Sequence, residues 1–210
     1  MPNFPRRDRL RAILGPDHDA LLVSNPVNVR YLTDFTGGSS FLIVARNREM
    51  MVSDGRFTEQ IAEEAPGLSA HIRSLAETTV EALGTVIGQL GLRNVGIESK
   101  HLTVGEFETL KEKVPSVNWA STKGLVEQLR AVKDDGEIKT IKRAIAVAES
   151  AYSEFRQQMQ VADDEFDLTN RIEILIRKHD GQKSSFEPIT AVGERSALAH
   201  GLRPAIDRWP

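Results

Sequence analysis

Apolar residues recur at steps of three and four through Ile138, Ile141, Ile145, Ala148, Tyr152 and Phe155, the longest periodic run in the chain. That spacing predicts one buried stripe on a helix of about six turns, roughly 33 Å long. Asp134 and Glu137 stand three apart just ahead of it, and such a pair forms a reciprocal capping box at a helix start. Asp135 and Lys139 make a favourable pair at i and i+4 that the like pair Lys139 and Arg143 cancels. Packing of the stripe, not surface charge, is therefore expected to hold this helix.

The pattern on either side of this helix has a different grain. Upstream, short apolar runs alternate with helical periodicity. A helix is expected over 6–14, strands over 20–23, 40–45 and 49–52, with Asn47-Arg48 turning the last two into a hairpin. Val29, Leu32 and Phe35 suggest one irregular helical turn before the Gly37-Gly38 break. Helices follow over 57–65, stopped by Pro66-Gly67, and over 79–90, with Gly91 as C-cap. Short strands are expected over 71–74 and 95–97. Thr103 and Glu106 open a last helix that runs to Lys113 before Pro115. The alternation predicts an α/β domain with a mixed sheet flanked by helices over residues 1–123.

Downstream, residues 124–210 read as an incomplete α+β domain. A second helix is capped by Asp163 or Asp164 and buries Leu168, Ile172, Leu175, Ile176 and His179 before Gly181. The segment 184–192 reads as extended despite Pro188. Two helices and little more than one strand leave sheet edges unpaired, so this half is expected to be cut short, with exposed apolar surface that favours self-association.

Composition narrows the function classes. The chain has 210 residues, 40% apolar and 27% charged, with net charge −3 and no cysteine. No basic field invites nucleic acid, no run approaches a membrane span, and the N-terminus lacks the apolar core of a signal peptide. Disulfides and thiolate chemistry are excluded, and a cytoplasmic location is expected. His18, His71, His101, His179 and His200 show no metal-ligand spacing, and no phosphate-binding glycine motif occurs. Asp134-Asp135 and Asp163-Asp164-Glu165 sit at helix starts, where they complement the helix dipole. The Gly193-Glu194-Arg195-Ser196 segment suits either a tight turn or a backbone amide aimed at a ligand. His200 differs from the other histidines in context: it follows an apolar Ser-Ala-Leu-Ala run and precedes Arg203 and Pro204.

Four stretches of the chain carry a family resemblance. LRAVKDDGEIKTIKRAIAVAESAY, followed after about thirty residues by FEPITAVGERSALAH, resembles the creatinase/prolidase/Xaa-Pro aminopeptidase group of "pita-bread" proteins. DALLVSNPVNVRYLTDFTGGSSFLIV with MMVSDGRF looks like the small N-terminal domain of the same group, so the resemblance covers about residues 6–204. It implies a creatinase-like N-terminal domain, then the first half of a pita-bread catalytic domain. It also implies a homodimer and a peptide substrate with proline at its second position.

Metallopeptidases of the group use two divalent ions (manganese, cobalt or zinc) held by two aspartates, one histidine and two glutamates; the ions generate a hydroxide that attacks the bond before proline. Carried across residue by residue, His200 matches a histidine that is not a metal ligand but bonds the substrate and assists proton movement. Arg56, in the DGRF block, matches a structural or interface position. Arg195 and Ala199 stand where many relatives have Asn and Pro. All five metal ligands are expected beyond residue 204, with Asp207 the one carboxylate after His200. The 210 residues are therefore expected to bind no metal and to be inactive alone, as the leading part of a longer dinuclear-metal Xaa-Pro peptidase. The alternatives are a metal-free creatinase-like C–N hydrolase and a non-enzymatic peptide- or protein-binding module.

Overall fold

A computed structural model describes residues 4–198. Along the chain run α1 (Phe4–Ile13), β1 (Ala20–Val23), α2 (Pro26–Thr33), β2 (Phe41–Ala45), β3 (Glu49–Ser53), α3 (Thr58–Glu64), β4 (Ala70–Ile72), α4 (Thr79–Gln89), β5 (Asn94–Glu98), α5 (Val104–Lys113), β6 (Asn118–Thr122), α6 (Leu125–Ala131), α7 (Asp135–Gln158) and α8 (Glu165–Lys178). Short 3₁₀ turns occupy Gly55–Phe57 and Gly193–Ala197.

The strands form one mixed sheet in the order β4-β3-β2-β1-β5-β6. The β1–β2 and β2–β3 pairs are antiparallel, and β1–β5, β3–β4 and β5–β6 are parallel. Both faces are buried, because side chains alternate across the pleat. Leu22 and Ile43 join α4 and α5 residues such as Leu83, Ile87 and Leu110 on one face. Leu21, Val23 and Leu42 meet Leu10, Leu32, Ile61 and Val126 on the other. This is the helix-flanked mixed sheet that the alternation predicted.

Local differences have identifiable causes. Pro26, Val29 and Leu32 lie on a regular helix, not an irregular turn, because Asn25 caps it by accepting the Val27 amide and Asp34 closes it at φ 67°. Gly37 is fixed by close approach: a Cβ there would run into the rings of Phe35 and Phe57, which pack edge to face with centroids 5.7 Å apart. Strand β6 carries no strong apolar alternation and was not expected; it adds to β5 in parallel, with Val95 opposite Trp119.

Contacts divide the chain into two units after Val132. Helix α6, which the sequence pattern grouped with the second part, packs with the first through buried Val126.

In the second unit the capping box of Asp134 and Glu137 opens α7, and Asp164 with Asp167 opens α8. The predicted stripe is buried only at its end: Ile138, Ile141, Ile145 and Tyr152 are 40–57% exposed, whereas Phe155 is buried. With Ala151, which the stripe did not include, Phe155 packs onto Leu168 and Leu175 of α8. Asp180, not a glycine, takes the left-handed position after α8, at φ 67°. Gly181 is required because a Cβ there would lie 2.7 Å from the Ile176 carbonyl oxygen and 3.1 Å from Val147 Cγ1. The segment 184–192 forms no strand. With no neighbouring strand among the described residues, its extended character has nothing to pair with.

Candidate functional site

His200, the histidine singled out from sequence, lies outside the described residues. The segment leading to it is described as far as Leu198, and its anchoring is specific. At the start of α8, Asp164 accepts the amides of Phe166 and Asp167, which satisfies that end of the helix. Glu165, the next residue, is therefore not needed as a cap. It is 8% exposed, and its Oε1 accepts from Arg195 Nε at 3.0 Å and from the Val192 amide at 3.3 Å. Its backbone carbonyl accepts from Thr190 Oγ1 at 2.9 Å and from Thr169 Oγ1 at 2.7 Å. The first turn of α8 thus grips residues 190–195 at three points. The Gly193–Ala197 turn closes with Ser196 Oγ donating to the Gly193 carbonyl at 2.6 Å, so its hydroxyl is spent on the turn. Pattern alone assigned Glu165 to the helix dipole; its distant partners left no signal in local spacing.

Arg56 stands in the 3₁₀ turn after β3. Its guanidinium grips Asp54 with two bonds, Nε to Oδ1 at 3.0 Å and Nη2 to Oδ2 at 2.7 Å, and this hydrogen bonding holds the Asp54 carboxyl down to about 2. Asp54 also accepts the Arg56 amide, capping the turn. The pair borders a cleft of about 510 Å³ lined by Arg73, Thr78 and Glu81 among others. Arg73 donates to the Ser74 and Glu77 carbonyls, and its buried Nε has no partner among the described residues. Arg56 is thus committed to an ion pair within its own turn.

At the carboxyl ends of β1 and β5, Glu98 Oε2 accepts the amides of Ser24 and Asn25, each at 2.7 Å. Its Oε1 takes Asn28 Nδ2 at 2.6 Å. Asn28, fully buried, also donates to Glu127 and accepts from Arg130. This network ties α2 and α6 to the sheet. Every named atom in it is partnered within the protein, which makes it a structural lock.

The other histidines do not converge. His18 Nδ1 meets the Leu14 carbonyl at 3.1 Å, and His71 lies in β4 opposite Val52. His101 lines a small cleft of about 360 Å³ with Ser24, Ser40 and Thr79. His179 is no apolar-face residue: its Nε2 lies 2.9 Å from Glu154 Oε2. Hydrogen bonds from Lys178 and then His179 hold the Glu154 carboxyl below its usual range. Among the described residues no three His, Asp or Glu side chains converge as a metal site, so no chemical step is assigned to a metal there. No described helix is long and apolar enough to cross a membrane.

The helix-flanked mixed sheet and the helix pair that follows it match a known group. The Creatinase/Prolidase N-terminal domain model matches residues 6–132, and the Metallopeptidase family M24 model matches residues 139–209. The chain belongs to the creatinase/prolidase family, with the N-terminal domain followed by M24 sequence. It is similar to an Xaa-Pro dipeptidase from Bacillus anthracis of known structure: TM-score 0.87 and 30% identity, covering 95% of this chain and 56% of that one. An X-Pro aminopeptidase from Thermotoga maritima gives TM-score 0.81 at 27% identity, over 93% of this chain and 55% of that one. Among curated relatives, an uncharacterised peptidase of Bacillus subtilis is 28% identical over 198 residues, 93% of this chain and 55% of the relative. An Xaa-Pro dipeptidase of Pyrococcus horikoshii is 26% identical over 186 residues, covering 88% and 50%. The chain spans about half the length of these relatives.

Proposed function

We propose that residues 1–210 are the leading part of a proline-specific metallopeptidase that hydrolyses the peptide bond before proline. The reading is carried by one observation: the two domain models match in order, over nearly the whole chain, in a protein whose similar structures include an Xaa-Pro dipeptidase at TM-score 0.87. The two divalent ions of such an enzyme, manganese, cobalt or zinc, would supply an activated water, and the family pattern puts their five ligands beyond residue 204.

His200 is assigned the substrate-side task. An imidazole can donate or accept a hydrogen bond and titrates near neutrality, which suits proton movement to a leaving amine. Residues 190–198 carry the chain to His200, and the N-terminal domain is assigned the homodimer contacts that the family resemblance implies. The protein works in the cytoplasm.

The test begins with the intact mass of the protein in its native source. The native-length protein is then assayed on Xaa-Pro dipeptides and on longer peptides with proline second. Hydrolysis should vanish with a chelator and return with manganese, cobalt or zinc. The His200→Ala variant should lose about a hundredfold or more in turnover. Chelator-resistant hydrolysis of a non-peptide C–N bond would favour a creatinase-like enzyme. Peptide binding without turnover under any metal would favour a binding module.

A further inference from the structure

Buried carboxylates cost free energy unless their oxygens are well partnered, so the partners of Glu165 indicate its role. Its side chain is withdrawn from solvent at the first position of α8, although Asp164 already caps that helix. What it holds instead is chain 27 to 30 residues further on: the Val192 amide and the Arg195 guanidinium. Thr169 reinforces the same junction from the next turn of α8, with its hydroxyl 2.5 Å from that of Thr190. The contact joins the regular helix to the irregular segment that leads toward His200. The segment pairs with no strand among the described residues, so a charge-assisted clamp of this kind contributes to its order.

We propose that Glu165 is a positioning residue: with Arg195 it latches residues 190–198, the segment that leads toward His200, to α8. The order of the segment follows from the contacts themselves, and the catalytic consequence rests on the function proposed above. Arg195 is a specific part of the device in this chain, because its guanidinium makes the long-range half of the clamp. A neutral side chain at that position would leave the Glu165 carboxylate with the Val192 amide as its remaining partner in the segment among the bonds described.

The test compares Glu165→Gln, Arg195→Gln and Arg195→Lys with the wild-type 210-residue chain. Amide hydrogen exchange at Val192 and through 193–198 should quicken by roughly tenfold in the two Gln variants, as loss of a charge-assisted bond implies. Exchange at Phe155 and Leu175, between α7 and α8, should stay at the wild-type rate. The His200 ring resonances, followed in ¹⁵N-labelled protein, should shift in both Gln variants and return toward wild type in Arg195→Lys, which keeps the cation. In the native-length protein the two Gln variants should lower kcat by about tenfold to a hundredfold with KM nearly unchanged, and Arg195→Lys should restore it toward wild type.

Unchanged exchange at 192–198 together with unmoved His200 resonances in either Gln variant overturns the latch, whatever the activity. If Glu165→Gln fails to fold, Arg195→Gln decides the matter, since Arg195 lies at the edge of the clamp and outside the α7–α8 core. If the native-length wild type shows no hydrolysis, the peptidase reading fails and the latch is judged by exchange and resonance alone.

Discussion

The two units handle apolar side chains in opposite ways. In the first, a six-stranded sheet is covered on both faces, and Leu21, Leu22, Leu42 and Leu83 are fully buried. In the second, a helix of 24 residues buries Ala151 and Phe155 against α8 and leaves Ile138, Ile141 and Ile145 exposed. Both units use the same local devices, capping boxes at α4, α5, α7 and α8 among them. A cap decides where a helix starts. Which face is buried depends on what lies opposite, and only the first unit supplies a covering layer to every apolar face of its sheet.

Core truncation is the strongest way to sharpen this contrast. Leu22→Ala should destabilise the first unit by about 3–4 kcal/mol, the transfer term plus an unfilled cavity between sheet and helices; denaturant unfolding followed through Trp119 measures it. Asn28→Ala, which strips partners from Glu98, Glu127 and Arg130 together, should cost about 2–3 kcal/mol in the same titration. Phe155→Ala should cost about 2 kcal/mol, because its core is small. Hydrogen exchange should then rise in α7 and α8 while β1 and β5 keep their protection. A uniform rise through both units would break the distinction between them.

Ile141→Ser and Ile145→Ser should each change the stability of the 210-residue chain by no more than about 0.5 kcal/mol, as expected of solvent-facing sites. A cost above about 2 kcal/mol would mean the stripe is covered in solution, and analytical ultracentrifugation of wild type and variants would then show whether a second copy covers it.

The smallest effect is electrostatic and opposes one acid turn in each unit. Asp54 beside Arg56 and Asp163 beside Arg171 are both held down to about 2 from 3.8, in each case chiefly by hydrogen bonds from the arginine. A depressed carboxylate contributes stability that is present above its unfolded value and is lost as pH falls through its folded value. Both contributions should therefore fade between about pH 4 and pH 2. Carboxyl ¹³C shifts would follow each group, and Arg171→Gln should return Asp163 toward its ordinary value while Asp54 stays where it was.

Much of the fold was legible in the residues. Asp134 with Glu137 and Thr103 with Glu106 mark helix starts, because capping is satisfied within four residues of chain. The short continuous apolar runs at Ala20–Val23 and Phe41–Ala45 mark buried strands for the same local reason. β6 escaped notice, since its Asn118–Thr122 sequence is half polar and becomes a strand by pairing with β5. The site was less legible. His200 stood out by context and family resemblance, whereas Glu165 looked like one more acid at a helix start.

Sequence by itself determined where the capped helices start and where the most apolar strands run, that the chain opens with an α/β layer, and which family it belongs to. These rest on contacts within a few residues and on blocks of chain that keep their order. Tertiary structure alone decided the strand order, the packing of α6 with the first unit, the face of α7 that is buried, and the grip of Glu165 on Val192 and Arg195. Each of those joins residues far apart in the chain, and burial and charge pairing depend on what space brings opposite a side chain, which no local pattern records.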